Sequence, residues 1–369
     1  MFSHFNSPLA QWQVLPSFLI GEYLFILGAV LALIHAWRSG RDHLLIWIAA
    51  LVAGSANDII FMALPLVDNF WQAQATIMLT ARMPLYIPCV YVCFMYLPTA
   101  WVRRLGLPRW STAALTGLLA SLYYAPYDII GAKFLWWTWH DTDKPIAARL
   151  FGAPVSSTLW VLTFVATFAW LLDHTLRKHP DVTARRFGIG LAKVAGLTTL
   201  FMILQMTVLQ QLDGGTPGYR ALAVCVVLYA GLAWSGFRSR EPHPVAGVDR
   251  FLLVYVVGYF LVLAGIGLTF DPATHKSTGT HQKTGKCYVE AKDITGNTRY
   301  EYLCVTDFDE PYSFACLPSP PPPGSTWYTV CGRPHRHPAR WIGGLVGIAA
   351  AGIVVFLSLL AFRRRRPAA

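Results

Sequence analysis

The stretch PSFLIGEYLFILGAVLALIHAW (residues 16–37) decides the class of this protein. It is apolar almost throughout, with a single carboxylate, Glu22, inside it. A helix of that length, rising 1.5 Å per residue, crosses the roughly 30 Å hydrocarbon layer of a bilayer. An amphipathic helix of a soluble fold would bring polar residues around every turn, and a strand would end much sooner. Working outward, eight more such runs follow, at about 44–64, 74–97, 111–131, 153–173, 188–210, 217–237, 250–270 and 341–362. The chain is 55% hydrophobic and 13% charged, roughly half the charge of a soluble chain. The sequence predicts an all-α polytopic membrane bundle of nine transmembrane helices, with a small β-rich, disulfide-stapled insert outside the membrane.

Charge sets the expected orientation. Arg38 and Arg41 follow the first run, Arg103, Arg104 and Arg109 the third, and Arg177, Lys178, Arg185 and Arg186 the fifth. Arg238 and Arg240 follow the seventh, and Arg363 to Arg366 the ninth. The connections between are poor in Lys and Arg, apart from Lys133, Lys144 and Arg149. The positive-inside rule then places the N-terminus outside and the basic C-terminus in the cytoplasm, in a plasma membrane. The net charge of +11 is explained by these loops and an anionic-lipid-binding tail, so no nucleic-acid partner is expected. No cleavable signal is expected either, because basic residues follow the first apolar run instead of preceding it.

The expected organisation is an eight-helix body (1–270), a Cys-rich extracytoplasmic domain (271–340), a last helix (341–362) and a basic cytoplasmic tail (363–369). Cys287, Cys304, Cys316 and Cys331 all fall in the second of these. Four cysteines in an oxidising compartment predict two disulfides, with three pairings open. "CYVEAKDITGNTRYEYLCV" (287–305) reads as two strands around a Gly-Asn turn. About 70 residues have little room for a core, so stapling is physically apt. Zinc is disfavoured by the wide spacings, and Cys89, Cys93 and Cys225 read as buried thiols within spans.

Ionisable groups inside apolar runs are costly and mark function. Counted from the outer ends of their spans, Glu22, Asp58, Arg82 and Asp128 fall in one layer roughly 5–12 Å below the outer surface. Arg82 either neutralises Asp58 or Asp128 and ties the bundle together, or it helps line an outward-open pocket. Three carboxyls against one cation leave an acid able to hold a proton in an apolar site. Glu22, Asp58, Arg82 and Asp128 are therefore the candidate catalytic residues. Asn57, Tyr124, Trp137, Trp139, His140 and Trp160 are candidate substrate contacts. Pro126 is expected to kink the fourth span, and Pro84 and Pro88 to free carbonyls below Arg82. The string "WWTWHDTD" (136–143) reads as an aromatic belt at the membrane edge or as a rim above this layer. His140, Asp141 and Asp143 have metal-ligand chemistry, yet three clustered loop residues assign no metal. No cofactor is expected, since His35 and His43 lie at the cytoplasmic end and no inward pair at matched depth could hold a haem.

The order "PYDIIG", "FLWWTWHDTD", "RLFGAPVSSTLWVLTF" resembles carotenoid-biosynthesis membrane proteins of the bisanhydrobacterioruberin hydratase type, over residues 15–240. Asp128, Trp137, Trp139, Gly152, Pro154 and Trp160 carry the resemblance, after an early intramembrane Glu22. The chain departs from it at His140, Asp141 and Asp143, at "SSTLW", and in having the Cys-rich insert and ninth helix. Those last parts resemble a group of membrane proteins with a "WYTVCG"-type ectodomain and no assigned activity. The resemblance implies protonation and hydration of an isoprenoid double bond, with aromatic faces steadying a cation. Three functions are thus open. They are a hydratase-type lyase on a membrane-soluble isoprenoid, a non-catalytic receptor or assembly protein binding a protein partner through the ectodomain, and a proton-coupled carrier using Arg82. Membrane lipids are partners in every case.

Overall fold

A computed structural model describes residues 4–64, 70–139, 143–178, 183–280, 282–294, 296–306 and 312–361. Strand β1 (His4–Phe5) and a short helix α1 (Pro8–Val14) lead into the bundle. Its helices are α2 (Pro16–Ser39), α3 (Arg41–Ala63), α4 (Tyr86–Arg103), α5 (Arg109–Lys133), α6 (Val155–Lys178), α7 (Ala184–Leu209), α8 (Tyr219–Phe237), α9 (Gly247–Thr269) and α10 (Pro338–Ala361). Seven of these, α2, α3 and α6 to α10, are long and apolar enough to cross a membrane. The chain is a helical protein of membrane type.

The two helices below that threshold are largely enclosed by other helices. α4 is buried along nearly its whole length, between α2, α3 and α5, and α5 is enclosed by α4, α6, α8, α9 and α10. A helix that faces other helices on every side tolerates tyrosines, threonines, prolines and cysteines that a lipid-facing helix would not. α7 and α8 are the converse, with Leu204, Val208, Val227 and Trp234 exposed as large apolar side chains. Glycines set the closest approaches: a Cβ on Gly54 would overlap Tyr91, and one on Gly28 would overlap Tyr255 and Cys93.

One predicted run is corrected. The third, 74–97, does not begin as a helix. Residues 73–85 form a non-helical segment over one end of the bundle, and α4 starts only at Tyr86. The Thr80 hydroxyl accepts from the amides of Arg82 (3.2 Å) and Met83 (3.0 Å), a local turn that competes with helix. Met83 precedes a proline, which further disfavours helical backbone there. Pro84 therefore lies outside the helix. Pro88 lies in its first turn, where a missing N–H costs nothing, so neither frees carbonyls as expected. Pro126 does lie inside α5, which continues to Lys133.

At the same end of the bundle, short strands knit the loops into a cap. β2 (Phe70–Gln72) pairs with β4 (Trp137–Trp139), β3 (Ile77–Met78) with β1, and β5 (Arg149–Leu150) with β6 (Ala153–Pro154), all antiparallel. The segment between α9 and α10 adds β7 (Lys276–Thr280), β8 (Glu290–Lys292), β9 (Thr298–Tyr300), β10 (Tyr312–Ser313) and β11 (Trp327–Gly332). They form a sheet of order β10-β11-β7 and a β8–β9 hairpin. Gly296 supplies the left-handed residue of its turn (φ 81°). The disulfides are Cys287–Cys304 and Cys316–Cys331.

The opposite end is held by a buried polar chain. His35 Nε2 lies 2.8 Å from Asp249 Oδ1, and His35 Nδ1 lies 2.7 Å from the Tyr96 hydroxyl. Asp249 only accepts, so His35 donates from Nε2; a neutral His35 then accepts from Tyr96 at Nδ1. His43 Nδ1 stands 3.3 Å from the same hydroxyl. Four helices, α2, α3, α4 and α9, meet in this chain. His35→Ala is expected to cost about 2–4 kcal/mol, since Tyr96 and Asp249 lose a shared partner and a void remains. Thermal unfolding in nanodiscs measures it; an unchanged midpoint would show the chain to be dispensable.

Candidate functional site

Beneath the cap, α3, α4, α5, α6 and α7 surround a cavity of about 180 Å³. Its wall is aromatic. Tyr91, Phe94, Tyr124, Tyr127, Trp137, Trp139 and Trp160 all line it. Phe94 packs edge-on against Tyr124 (5.1 Å between centroids), Tyr127 lies 4.5 Å from Trp137, and Trp160 stacks on Phe164 at 5.3 Å. Gly131 makes the Trp137 position, because a Cβ there would overlap the indole.

Asp58, one turn from the end of α3, is the carboxyl that faces this cavity from the bundle's own helices. It is 7% exposed. Its Oδ1 accepts from the Tyr91 hydroxyl at 2.6 Å, and that hydroxyl accepts from Asn57 Nδ2 at 3.1 Å. Asn57 Oδ1 accepts from Thr199 at 3.1 Å. Among the described residues Asp58 makes no ion pair. Asp128 lies behind the wall, on α5, one turn beyond Tyr124. Both its oxygens are buried without a hydrogen bond of good geometry among the described residues, with the Ser157 hydroxyl as close polar neighbour. Tyr124 stands within electrostatic reach of both Asp58 and Asp128. Buried carboxylates without compensation are expensive, so this pair is the least explicable feature of the bundle in purely structural terms.

The other two candidate catalytic residues lie elsewhere. Glu22 is fully buried, but its carboxylate receives the Thr76 amide and hydroxyl, each at 3.0 Å. It anchors the segment that precedes α4 and does not line the cavity. Arg82 is half-buried in that segment, ahead of the helix, and also does not line the cavity. Depth agreed for the four residues in the sequence; the direction in which each faces did not. Of the substrate contacts, Asn57, Tyr124, Trp137, Trp139 and Trp160 line the cavity, and His140 lies outside the described residues. Trp136 is enclosed by protein, its indole donating to Ser17 Oγ at 3.0 Å beside Gly21 and Phe18, so it is not part of a lipid-facing belt.

The cation at the site comes from the β8–β9 hairpin. Arg299 Nε donates to Asp293 Oδ2 at 2.8 Å, and Arg299 Nη1 lies 3.6 Å from Asp143 Oδ2. Asp143 Oδ1 also accepts from the Tyr300 amide at 2.8 Å. Asn297 Nδ2 reaches Gln210 Oε1 at 3.3 Å. Asp293, Ile294, Asn297 and Arg299 line the cavity as its roof. Sequence reasoning missed them because no local signal links residues this far along the chain to α3 or α5. Tyr91 was missed because a neutral phenol costs far less inside an apolar run than a charge does, and so stands out less.

The roof is seated on the bundle through His275. This side chain is fully buried against Phe134 (5.0 Å) and Phe270 (6.0 Å), with Nδ1 3.0 Å from the Asp271 carbonyl. Burial pushes its pKa down from 6.5 to about 4, more than the Asp271 carbonyl and carboxylate raise it. Its folded pKa is below its unfolded value, so the unfolded state binds more protons between the two. Stability of the cap should be full above pH 6.5 and fall as pH drops toward 4. Thermal unfolding across that range measures the slope, and His275→Gln should flatten it.

The chain belongs to the family described as Domain of unknown function (DUF7802), whose model matches residues 2–361. No curated protein and no solved structure matches it.

Proposed function

We propose that this member of the DUF7802 family is an integral-membrane enzyme that protonates and hydrates a double bond of an isoprenoid or related lipid in the cavity under the cap. The carrying observation is Asp58, buried in an aromatic wall, held only by the Tyr91 hydroxyl and facing the cavity without an ion pair among the described residues. In its neutral form Asp58 is a general acid. Its O–H bond breaks as a C–H bond forms on the alkene, leaving a carbocation beside the new carboxylate. The faces of Tyr124, Trp137 and Trp160 steady that cation. Water then adds, and its surplus proton passes through the Ser157 and Tyr124 hydroxyls to Asp128. Transfer of that proton back to Asp58 resets the site, so alkene and water become alcohol with no net change in the protein.

In this reading all nine long helices among the described residues, α2 to α10, lie within the bilayer, α4 and α5 at its centre. The N-terminus and cap face outward and the basic C-terminus faces the cytoplasm. The resemblance of residues 15–240 to carotenoid-type hydratases agrees with the chemistry but says nothing of the segment between α9 and α10. The test is direct. Purified protein in nanodiscs, given acyclic isoprenoids in oxygen-labelled water, should yield a labelled alcohol by mass spectrometry. Absence of label across several chain lengths, with a folded protein, would end the hydratase reading. A receptor using the cap alone would lose function on deletion of 273–338 and keep it in Asp58→Asn; here both changes are expected to abolish product, because the roof itself lines the cavity.

A further inference from the structure

The charges around the cavity do not balance. Among the described residues two carboxylates and one guanidinium line it, namely Asp58, Asp293 and Arg299. Arg299 is already engaged by Asp293 and by Asp143, which is fully buried. Asp128 adds a further carboxyl behind Tyr124, and Arg149, half-buried on the β5–β6 turn, acts on it only from a distance. Among the described residues no lysine lines the cavity. An anionic headgroup entering here would meet an excess of carboxylates and a cation already claimed twice.

We infer that the cavity selects an organic cation carried on an apolar body, a lipophilic ammonium, and rejects lipid phosphates and diphosphates. Two independent observations converge on that class. Asp58 is more than nine-tenths buried, aimed into the cavity, and lacks a counter-ion among the described residues. The cavity it faces is lined by the rings of Tyr91, Tyr124, Trp137, Trp139 and Trp160, and aromatic faces attract ammonium groups most strongly where water is excluded. Carboxylate and aromatic cage together are the recognition chemistry of quaternary ammonium ligands. The inference rests on the cavity being a ligand site, as in the hydratase reading, where an ammonium would occupy the place of the transient carbocation. It adds that an ammonium displaces the Asp58 proton on binding, so that the ligand held is chosen by the sign of its charge.

The experiment uses the full chain in zwitterionic nanodiscs with decyltrimethylammonium, decanol and decyl phosphate, each below its micellar concentration, read by quenching of tryptophan emission. The ammonium is expected to bind about tenfold or more tightly than decanol, and decyl phosphate least. Asp58→Asn should erase the preference for the ammonium while leaving decanol binding in place, and Asp58→Glu should restore it. Equal affinity for ammonium and decanol, or tighter binding of decyl phosphate, overturns the inference while leaving a ligand cavity. Ammonium binding without formation of labelled alcohol overturns the hydratase reading and leaves the inference standing. Should Asp58→Asn fail to fold, the three affinities of the wild-type protein decide alone.

Discussion

Asp58→Asn is expected to lower the rate of alcohol formation by about 10²–10⁴-fold, the range in which a positioned general acid contributes. The substitution keeps the side chain's shape. The asparagine carbonyl can still accept from the Tyr91 hydroxyl, now 2.6 Å from Asp58, so the link from Thr199 through Asn57 to Tyr91 has no reason to break. What is lost is the acidic proton. The variant should therefore unfold at nearly the wild-type temperature while labelled product disappears. Tyr91→Phe provides the contrast, since it removes the partner and keeps the acid. It should shift the pH dependence of the rate more than its maximum. Wild-type turnover by Asp58→Asn would sink the assignment of this carboxyl as the acid.

Arg299→Ala is expected to destabilise the closed cap by about 3–5 kcal/mol, because breaking a buried ion pair strands its partners. Asp293 would lose a 2.8 Å charge-assisted bond, and Asp143 would lose the guanidinium that stands 3.6 Å away. Both carboxylates are almost wholly shielded, with side-chain exposures of 0% and 1% for Asp143 and Asp293, so water offers little relief unless the hairpin lifts. Hydrogen exchange over 290–300 should accelerate far more than exchange in α3 or α5. Arg299→Lys should recover part of the loss, since an ammonium lacks the planar fork that reaches two carboxylates at once. Exchange unchanged in Arg299→Ala would mean that the disulfides and the β10-β11-β7 sheet hold the roof unaided.

The fold was legible where the solvent is lipid. Uninterrupted apolar runs fix α2, α3 and α6 to α10 to within a few residues, because no other structure satisfies that many backbone groups in hydrocarbon. α4 was misjudged at its start. Residues 74–85 are apolar enough to read as membrane, yet Thr80 and the Met83-Pro84 step turn the chain there. The candidate site was legible in part for the same reason. Asp58, Asn57, Tyr124 and Trp160 stand out as polar or amphipathic groups in greasy surroundings. Residue counting gives height along a helix but not its rotation. Glu22 therefore shared a layer with Asp58 while facing Thr76 instead of the cavity. The hairpin of the roof was legible from its Gly-Asn turn, but its place over the cavity was not. Arg299 and Asn297 sit in an ordinary hairpin, and only the folded chain carries them onto Asp143 and Gln210.

That roof also has a place in time. The walls of the cavity come from residues up to 217, and its ceiling from 293–299. A chain made from its N-terminus therefore completes the pit long before it owns the cover. In the proposed orientation the cover must first be threaded across the bilayer, oxidised at Cys287–Cys304 and retained by α10. Until then Asp58 stands in an open, wet well. Biogenesis itself becomes the last step in building the chemistry, and a cell that reduces or shortens this segment would keep a well-inserted bundle whose acid has lost its shelter.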